Sequence, residues 1–223
     1  MKKILIATPS YDGRLDVWYT NALIETVLLG AQNDILFKPV FMSYDALIQR
    51  SRNDLLAIAK ENEFDGILWI DSDVEWAPHW ALDLVLNEKD VIGLPIIKKS
   101  VEEQYSVKCD PENIKKDDAG LIEVESNATG FLYMSKNAID YLWDSSEPYT
   151  HNGQERRWVF DVRIQDNDII SEDVWVCQKL RKGGFKVYLD STKTCNHVGA
   201  LKFTGNFSAF IDKIVEHQFK ESN

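Results

Sequence analysis

The chain has 223 residues, a hydrophobic fraction of 44% and a formal net charge of −11, with a sequence pI near 4.8. That length and composition bury one sizeable core and suggest a single α/β domain over residues 1–223. With 25 Lys and Arg against 36 Asp and Glu, a surface that holds nucleic acid by general phosphate neutralisation is excluded, although a local basic groove is not.

In chain order, the short apolar run Ile4 to Ala7 reads as a strand ending at Thr8-Pro9, and apolar residues at helical spacing follow from Arg14 to Gln32. A second helical pattern from Tyr44 to Asn62 feeds the strand Gly66 to Ile70. Pro78 suits the first turn of a helix reaching about Asn87, and Val91 to Pro95 is another short buried strand. Such alternation predicts a mixed, mostly parallel sheet with helices on both faces, a Rossmann-like arrangement. Residues 98–128 are polar and turn-rich, with the charged stretch KKDD at 115–118, and are expected to form a hairpin-like insertion. GFLYM then reads as a strand, Ser135 as the N-cap of a helix to about Trp143, and RWVFDVRI as one further strand. Ser171 caps a helix through about Lys182, glycines close it, and Phe185 to Leu189 is the last expected strand. The expected division is a nucleotide-binding half, 1–97, and an insertion with an acceptor-binding half, 98–223.

No apolar stretch approaches the roughly 18 residues that span a bilayer, and the N-terminal MKKILIATPS is too short for a signal-peptide core. Cys109, Cys177 and Cys195 are odd in number and widely spaced, which fits reduced thiols. A cytoplasmic location, with no membrane insertion, is the resulting expectation.

The apolar strand ILWI ends in DSDVE, three acids in five positions whose charges repel. In open α/β sheets the ligand crevice lies outside the carboxyl ends of the strands, and Asp71 and Asp73, flanking one residue, can aim their carboxylates together at a hard divalent cation, Mg²⁺ or Mn²⁺. A bound cation would keep both acids ionised; a solvated acidic turn is the plainer alternative. Glu75 fits better outside the first coordination sphere. Glu172 and Asp173 open a helix, where the unsatisfied N–H groups alone favour acids.

Taken together, SRN at 51–53, WIDSDVEW at 69–76, ATGFLYMSKNAID at 128–140, ISEDVWVCQKLRKGGFKVYLD at 170–190 and NHVG at 196–199 resemble, in order, a GT-A-type glycosyltransferase, including small stand-alone viral and phage enzymes. The resemblance implies that Asp71 and Asp73 hold a divalent ion bridging the diphosphate of a nucleotide sugar, with Ser72 in the same donor site. It implies His197 as a third metal ligand, favouring Mn²⁺ over Mg²⁺. Thr8, Pro9 and Tyr11 follow the first strand, where similar proteins hold base and ribose. Arg52 and Asn53 fall at a matching helix, Arg52 able to pair with phosphate or with the acidic cluster. Gly130 would admit the sugar close to the backbone, and Lys202, expected on a tail, would meet the diphosphate.

By the same resemblance an acid of the ED block is the general base of an inverting reaction, with Asp173 placed in that role and Glu172 against the acceptor or sugar, roles open to reversal. Trp76, Trp80, Trp158 and Trp175 are either sugar platforms or packing. The implied donor is a UDP-sugar rather than a GDP-sugar, and the acceptor a glycan, with a hydroxylated base in DNA as the other candidate. A metal-dependent nucleotidyltransferase and a non-catalytic nucleotide-sugar-binding module are the alternatives. ATPSYDGR lacks the Gly-rich basic character of a nucleotidyltransferase phosphate loop, and neither GxxxxGK[ST] nor GxGxxG occurs.

Overall fold

The computed structural model describes residues 1–110 and 114–221. Strand β1 (Lys2–Ser10) is buried from Ile4 onward, and α1 (Val17–Gln32) starts at Asp16, whose carboxylate accepts from the Trp18 amide. β2 (Ile35–Ser43) pairs in parallel with β1 over its whole length. This strand was not anticipated. Ile35 and Phe37 point inward and Leu36 and Lys38 outward, the alternation of an edge strand, and the edge position tolerates Pro39, which has no N–H to donate.

Helix α2 (Ile48–Glu61) starts four residues later than its apolar pattern and leads into β3 (Gly66–Ile70), all five residues of which are buried. A two-residue strand β4 (Val74–Glu75) precedes α3 (Pro78–Leu86), which has Pro78 in its first turn, and β5 (Val91–Gly93).

The expected insertion at 98–128 is only partly a hairpin. β6 (Val107–Lys108) pairs with β8 (Ser126–Asn127), but between them β7 (Leu121–Val124) leaves to become an edge of the main sheet. Three of its four side chains are buried there. β9 (Phe131–Ser135) runs antiparallel between β3 and β5, and α4 (Lys136–Asp144) begins as expected at Ser135, which accepts from the Ala138 amide.

The single strand expected over RWVFDVRI is divided. β10 (Glu147–His151) and β11 (Gln154–Trp158) form one hairpin, and β12 (Arg163–Gln165) and β13 (Asp168–Ile170) a second. Between the hairpins the Val159 and Phe160 amides both donate to Asn53 Oδ1, at 3.0 and 2.8 Å, which draws the chain inward.

α5 (Glu172–Lys182) has its N-cap at Ser171, and β14 (Val187–Asp190) returns to the main sheet. What was expected as a tail is ordered: β15 (Asn196–Val198) pairs with β4 and with β16 (Lys202–Phe203), and α6 (Phe207–Glu221) follows.

The main sheet has the order β2-β1-β3-β9-β5-β14-β7. β2, β1, β3, β5 and β14 run one way, β9 and β7 the other. One sheet thus takes strands from both halves of the chain. On one face Ile4, Ile6, Leu68 and Ile70 pack under α1 and α3; on the other, Leu5, Ala7, Ile67 and Trp69 pack under α2, α4, α5 and α6. Among the described residues no helix is long and apolar enough to cross a membrane.

Candidate active site

The parallel strands β1 and β3 end side by side, and the chain leaving β3 turns at Asp71-Ser72-Asp73, with the Val74 amide bonded to the Asp71 carbonyl at 3.1 Å. Two backbone bonds hold this turn from either side: the Asp71 amide donates to Gly130 O (3.0 Å), and the Asp16 amide donates to Ser72 O (3.1 Å). Gly130 is required by contact rather than by dihedral angle. A Cβ there would stand 2.9 Å from Asp71 Oδ2 and 2.7 Å from Ile96 Cδ1.

Asp71 receives Arg52 from α2, with Nη2 at 3.1 Å from Oδ1. Arg52 is 2% exposed, and its Nε lies 3.7 Å from Glu172 Oε1 at the start of α5. The guanidinium thus links the turn after β3 to the ED pair. Burial works against its charge, but Asp71, Asp173 and Glu172 outweigh burial and keep it firmly protonated. Its Nη1 is buried without a hydrogen-bond partner among the described residues. The Thr129 hydroxyl, just before β9, donates to Oδ1 of Asp173 on α5, and Asp173 opens onto a cavity of about 240 Å³ bordered by Tyr105, Lys108 and Asn127.

Asp73 is drawn to other partners. Lys99 Nζ donates to Oδ2 at 2.5 Å, and His197 Nε2 stands 3.4 Å from Oδ1. β15 brings the histidine there by pairing His197 with Val74. His197 Nδ1 lies 3.0 Å from the Ile97 carbonyl, which accepts only, so Nδ1 carries a proton and Nε2 is the nitrogen presented to Asp73.

The two aspartates are therefore pushed apart in acidity. Burial, with Asp173 and Asp73 nearby, raises Asp71 despite Arg52; burial also acts to raise Asp73, but His197 and Lys99 outweigh it and lower that group. Glu172 is raised by burial and by Asp173, against the pull of Arg52.

Other expected residues have other surroundings. Asn53 is fully buried, and its amide holds the Val159 and Phe160 backbone, Nδ2 donating to Phe160 O at 3.1 Å; it presents no surface to a cofactor. Thr8 is also fully buried, 2.5 Å from the Tyr19 hydroxyl, and Pro9 is buried beside it. Tyr11, by contrast, is 75% exposed just past β1. Lys202 lies in β16 rather than on a tail, 2.5 Å from Glu75 Oε2 and over the Trp18 ring. Trp76 is core packing, while Trp158 and Trp175 border a cavity.

Two residues escaped the sequence reading. Lys99 sits in a polar stretch with no periodic signal. Tyr44, 82% exposed at the end of β2, has its ring against Gly13, and its backbone is left-handed at φ 62°. Asp73 and His197 meet as a pair, but among the described residues no three or more His, Cys, Asp or Glu side chains converge as a metal-holding group. Of the three expected ligands, Asp73 and the His197 imidazole, whose second nitrogen is fixed by a carbonyl as in metal-ligating histidines, are brought together, while Asp71 is turned to Arg52.

No protein-family model matches the chain, and no curated protein matches it. Among solved structures, a glycosyltransferase involved in glycosylation of the major capsid of PBCV-1 is 10% identical, with 63% of each chain covered and a TM-score of 0.35. An inositol-1-phosphate CTP transferase from T. maritima is 12% identical over 97% of this chain and 96% of that one, at a TM-score of 0.43. Both likenesses are too distant to bear on the site. The chain is similar in fold to the protein A197 from STIV, with 16% identity, 89% of this chain and 86% of that chain covered, and a TM-score of 0.54.

Proposed function

We propose that this protein is a metal-dependent glycosyltransferase of the GT-A type, moving a sugar from a nucleotide donor, a UDP-sugar, to an acceptor hydroxyl on a glycan. The observation that carries the reading is the linkage of Asp71 through Arg52 to Glu172, at the carboxyl end of a parallel strand where α/β sheets bind ligands. Asp71, Asp73 and His197 would hold Mn²⁺ or Mg²⁺. Such an ion, when bound, offsets charge growing on a leaving diphosphate.

This chain's own groups have distinct tasks. Tyr11 and Tyr44, exposed past neighbouring strands, offer flat faces for a nucleobase. Gly130 keeps backbone and sugar close. Thr129 occupies Asp173 Oδ1 and leaves the other oxygen to take the proton of the attacking hydroxyl. Glu172, whose proton affinity burial raises, is the second candidate for that proton.

The test is the thermal unfolding of the purified chain with UDP, GDP, CMP and ATP, each with and without Mn²⁺. UDP at a hundredfold excess over its Kd should add about 2.7 kcal/mol, or about 5–10 °C in Tm, only when Mn²⁺ is present. Asp73→Asn should remove that dependence. Asp173→Asn should keep it while lowering transfer by about 10²–10⁴-fold; if Glu172→Gln alone does so, the base roles are reversed. A shift confined to a nucleoside triphosphate would favour nucleotidyl transfer, and no shift with any nucleotide would sink the donor site.

A further inference from the structure

A second cavity, of about 570 Å³, lies between α4, α5 and the two hairpins, within the size range of small-molecule sites. We propose that it is the acceptor subsite and that it takes a saccharide bearing an anionic group, a carboxylate or a phosphate; this rests on the glycosyltransferase reading above.

Position is the first argument. Trp175, Gln178, Lys179 and Lys182 border the cavity, and they follow Glu172 by three, six, seven and ten residues, one face of α5. The α5 residues that border the cavity thus begin about one turn past Glu172 and run about 10 Å along the helix, ending about 15 Å from it. An acceptor lying in it would reach the ED pair with one end.

Chemistry is the second. Trp158, Trp175 and Tyr141 contribute flat apolar surface of the kind that meets sugar rings, and the indole Nε1 of Trp175 is buried with no hydrogen-bond partner among the described residues. Arg163, Lys179 and Lys182 supply three cations to the wall, against Glu147 alone, in a chain whose net charge is −11. Arg163 lies 4.1 Å from the Trp175 ring centroid and is paired with Asp161 at 2.6 Å. Lys179 donates to Ser146 Oγ at 2.5 Å, and burial together with the charge of Arg163 lowers its pKa, against Glu147 and Asp161. Lys182 is exposed and takes no part in an ion pair among the described residues. Positive charge in this wall is therefore only partly compensated, as a site for an anion requires.

The hairpins outside the main sheet complete the wall. Arg163 and Gln165 of the β12–β13 hairpin face the cavity, while Ile164 and Ile169, cross-strand partners that are 81% and 72% exposed, alternate with them on the hairpin's other face. A nucleic-acid acceptor is disfavoured because these three cations are gathered in the wall of one cavity rather than set along a stripe that could follow a backbone.

The test uses the full chain without nucleotide or metal, reading tryptophan fluorescence and calorimetry against tetragalacturonate, its neutral methyl ester, glucose 6-phosphate, inorganic phosphate and a single-stranded oligodeoxynucleotide. One or both anionic sugars should bind at least about tenfold tighter than the neutral ester and than inorganic phosphate. Lys182→Glu should weaken that binding by about tenfold and leave the UDP-dependent thermal shift unchanged; Trp175→Phe should weaken it with the fold intact by circular dichroism. Equal binding of ester and acid, an unaffected Lys182→Glu variant, preference for the oligodeoxynucleotide, or no sugar binding would each overturn the proposal. Loss of the donor reading is separately visible, as absence of the UDP shift in a chain that still binds the anionic sugar.

Discussion

Arg52, Asn53 and Asp54 are consecutive on α2, all buried, and each goes to a different place. Arg52 reaches the acidic cluster, Asn53 holds the 159–160 segment, and Asp54 accepts from Arg156 Nε at 3.0 Å and meets His151 Nδ1 at 2.9 Å on the β10–β11 hairpin. One turn of helix therefore ties the candidate site to the elements that wall the second cavity. The sequence reading placed Arg52 and Asn53 together in the donor site, because adjacency in a motif does not reveal that helical residues about 100° apart meet different neighbours. Asn53→Ala should remove the Asn53 bonds of the Phe160 amide and carbonyl, leave the Val159 amide only the Arg157 carbonyl, and destabilise the protein by about 2–4 kcal/mol. Urea denaturation measures it, and a loss below about 0.5 kcal/mol would show that the amide is not needed there.

At the scale of elements, the helices that carry the candidate chemistry were the most legible part of the chain. Ser135 and Ser171 cap α4 and α5 where their spacing predicts, because a cap is a local bond between residues three apart. Strand partners were less legible. β9 places Gly130 against Asp71, and β4 pairs with β15 to deliver His197, contacts between residues about sixty and a hundred and twenty positions apart that no periodicity encodes. Gly130→Ala follows from the first of these. Its Cβ, 2.9 Å from Asp71 Oδ2 and 2.7 Å from Ile96 Cδ1, must move one neighbour, and packing there costs about 1–3 kcal/mol. The UDP and Mn²⁺ response should fall more than the Tm of the unliganded chain; an unchanged response would place the turn's function elsewhere.

Across the whole molecule the acidic cluster makes stability depend on pH in two opposed ways. Asp73, lowered by His197 and Lys99, contributes stability that is present above its unfolded value near 3.8 and lost as pH falls through the folded value. Glu172 is raised, so the folded state holds its proton longer than the unfolded state does. Its penalty is absent below the ordinary 4.5, grows as pH rises through the folded value and is complete above it. Glu172→Gln should accordingly raise stability at neutral pH and flatten the decline above about pH 4.5, measured by urea denaturation across pH; a steeper decline would reverse the sign assigned to this group. By itself the sequence determined the α/β class, the helices and strands through β3 apart from β2, the capped helices and the strand-end position of Asp71 and Asp73, since all depend on periodicity or neighbours a few residues apart. Tertiary structure alone decided that β2 and β7 are the sheet edges, that RWVFDVRI breaks at Asn53, that the expected tail is a strand pair and a helix, and that Lys99 lies on Asp73. Those outcomes depend on which distant groups compete for the same buried space and hydrogen bonds, and that competition exists only once the chain has folded.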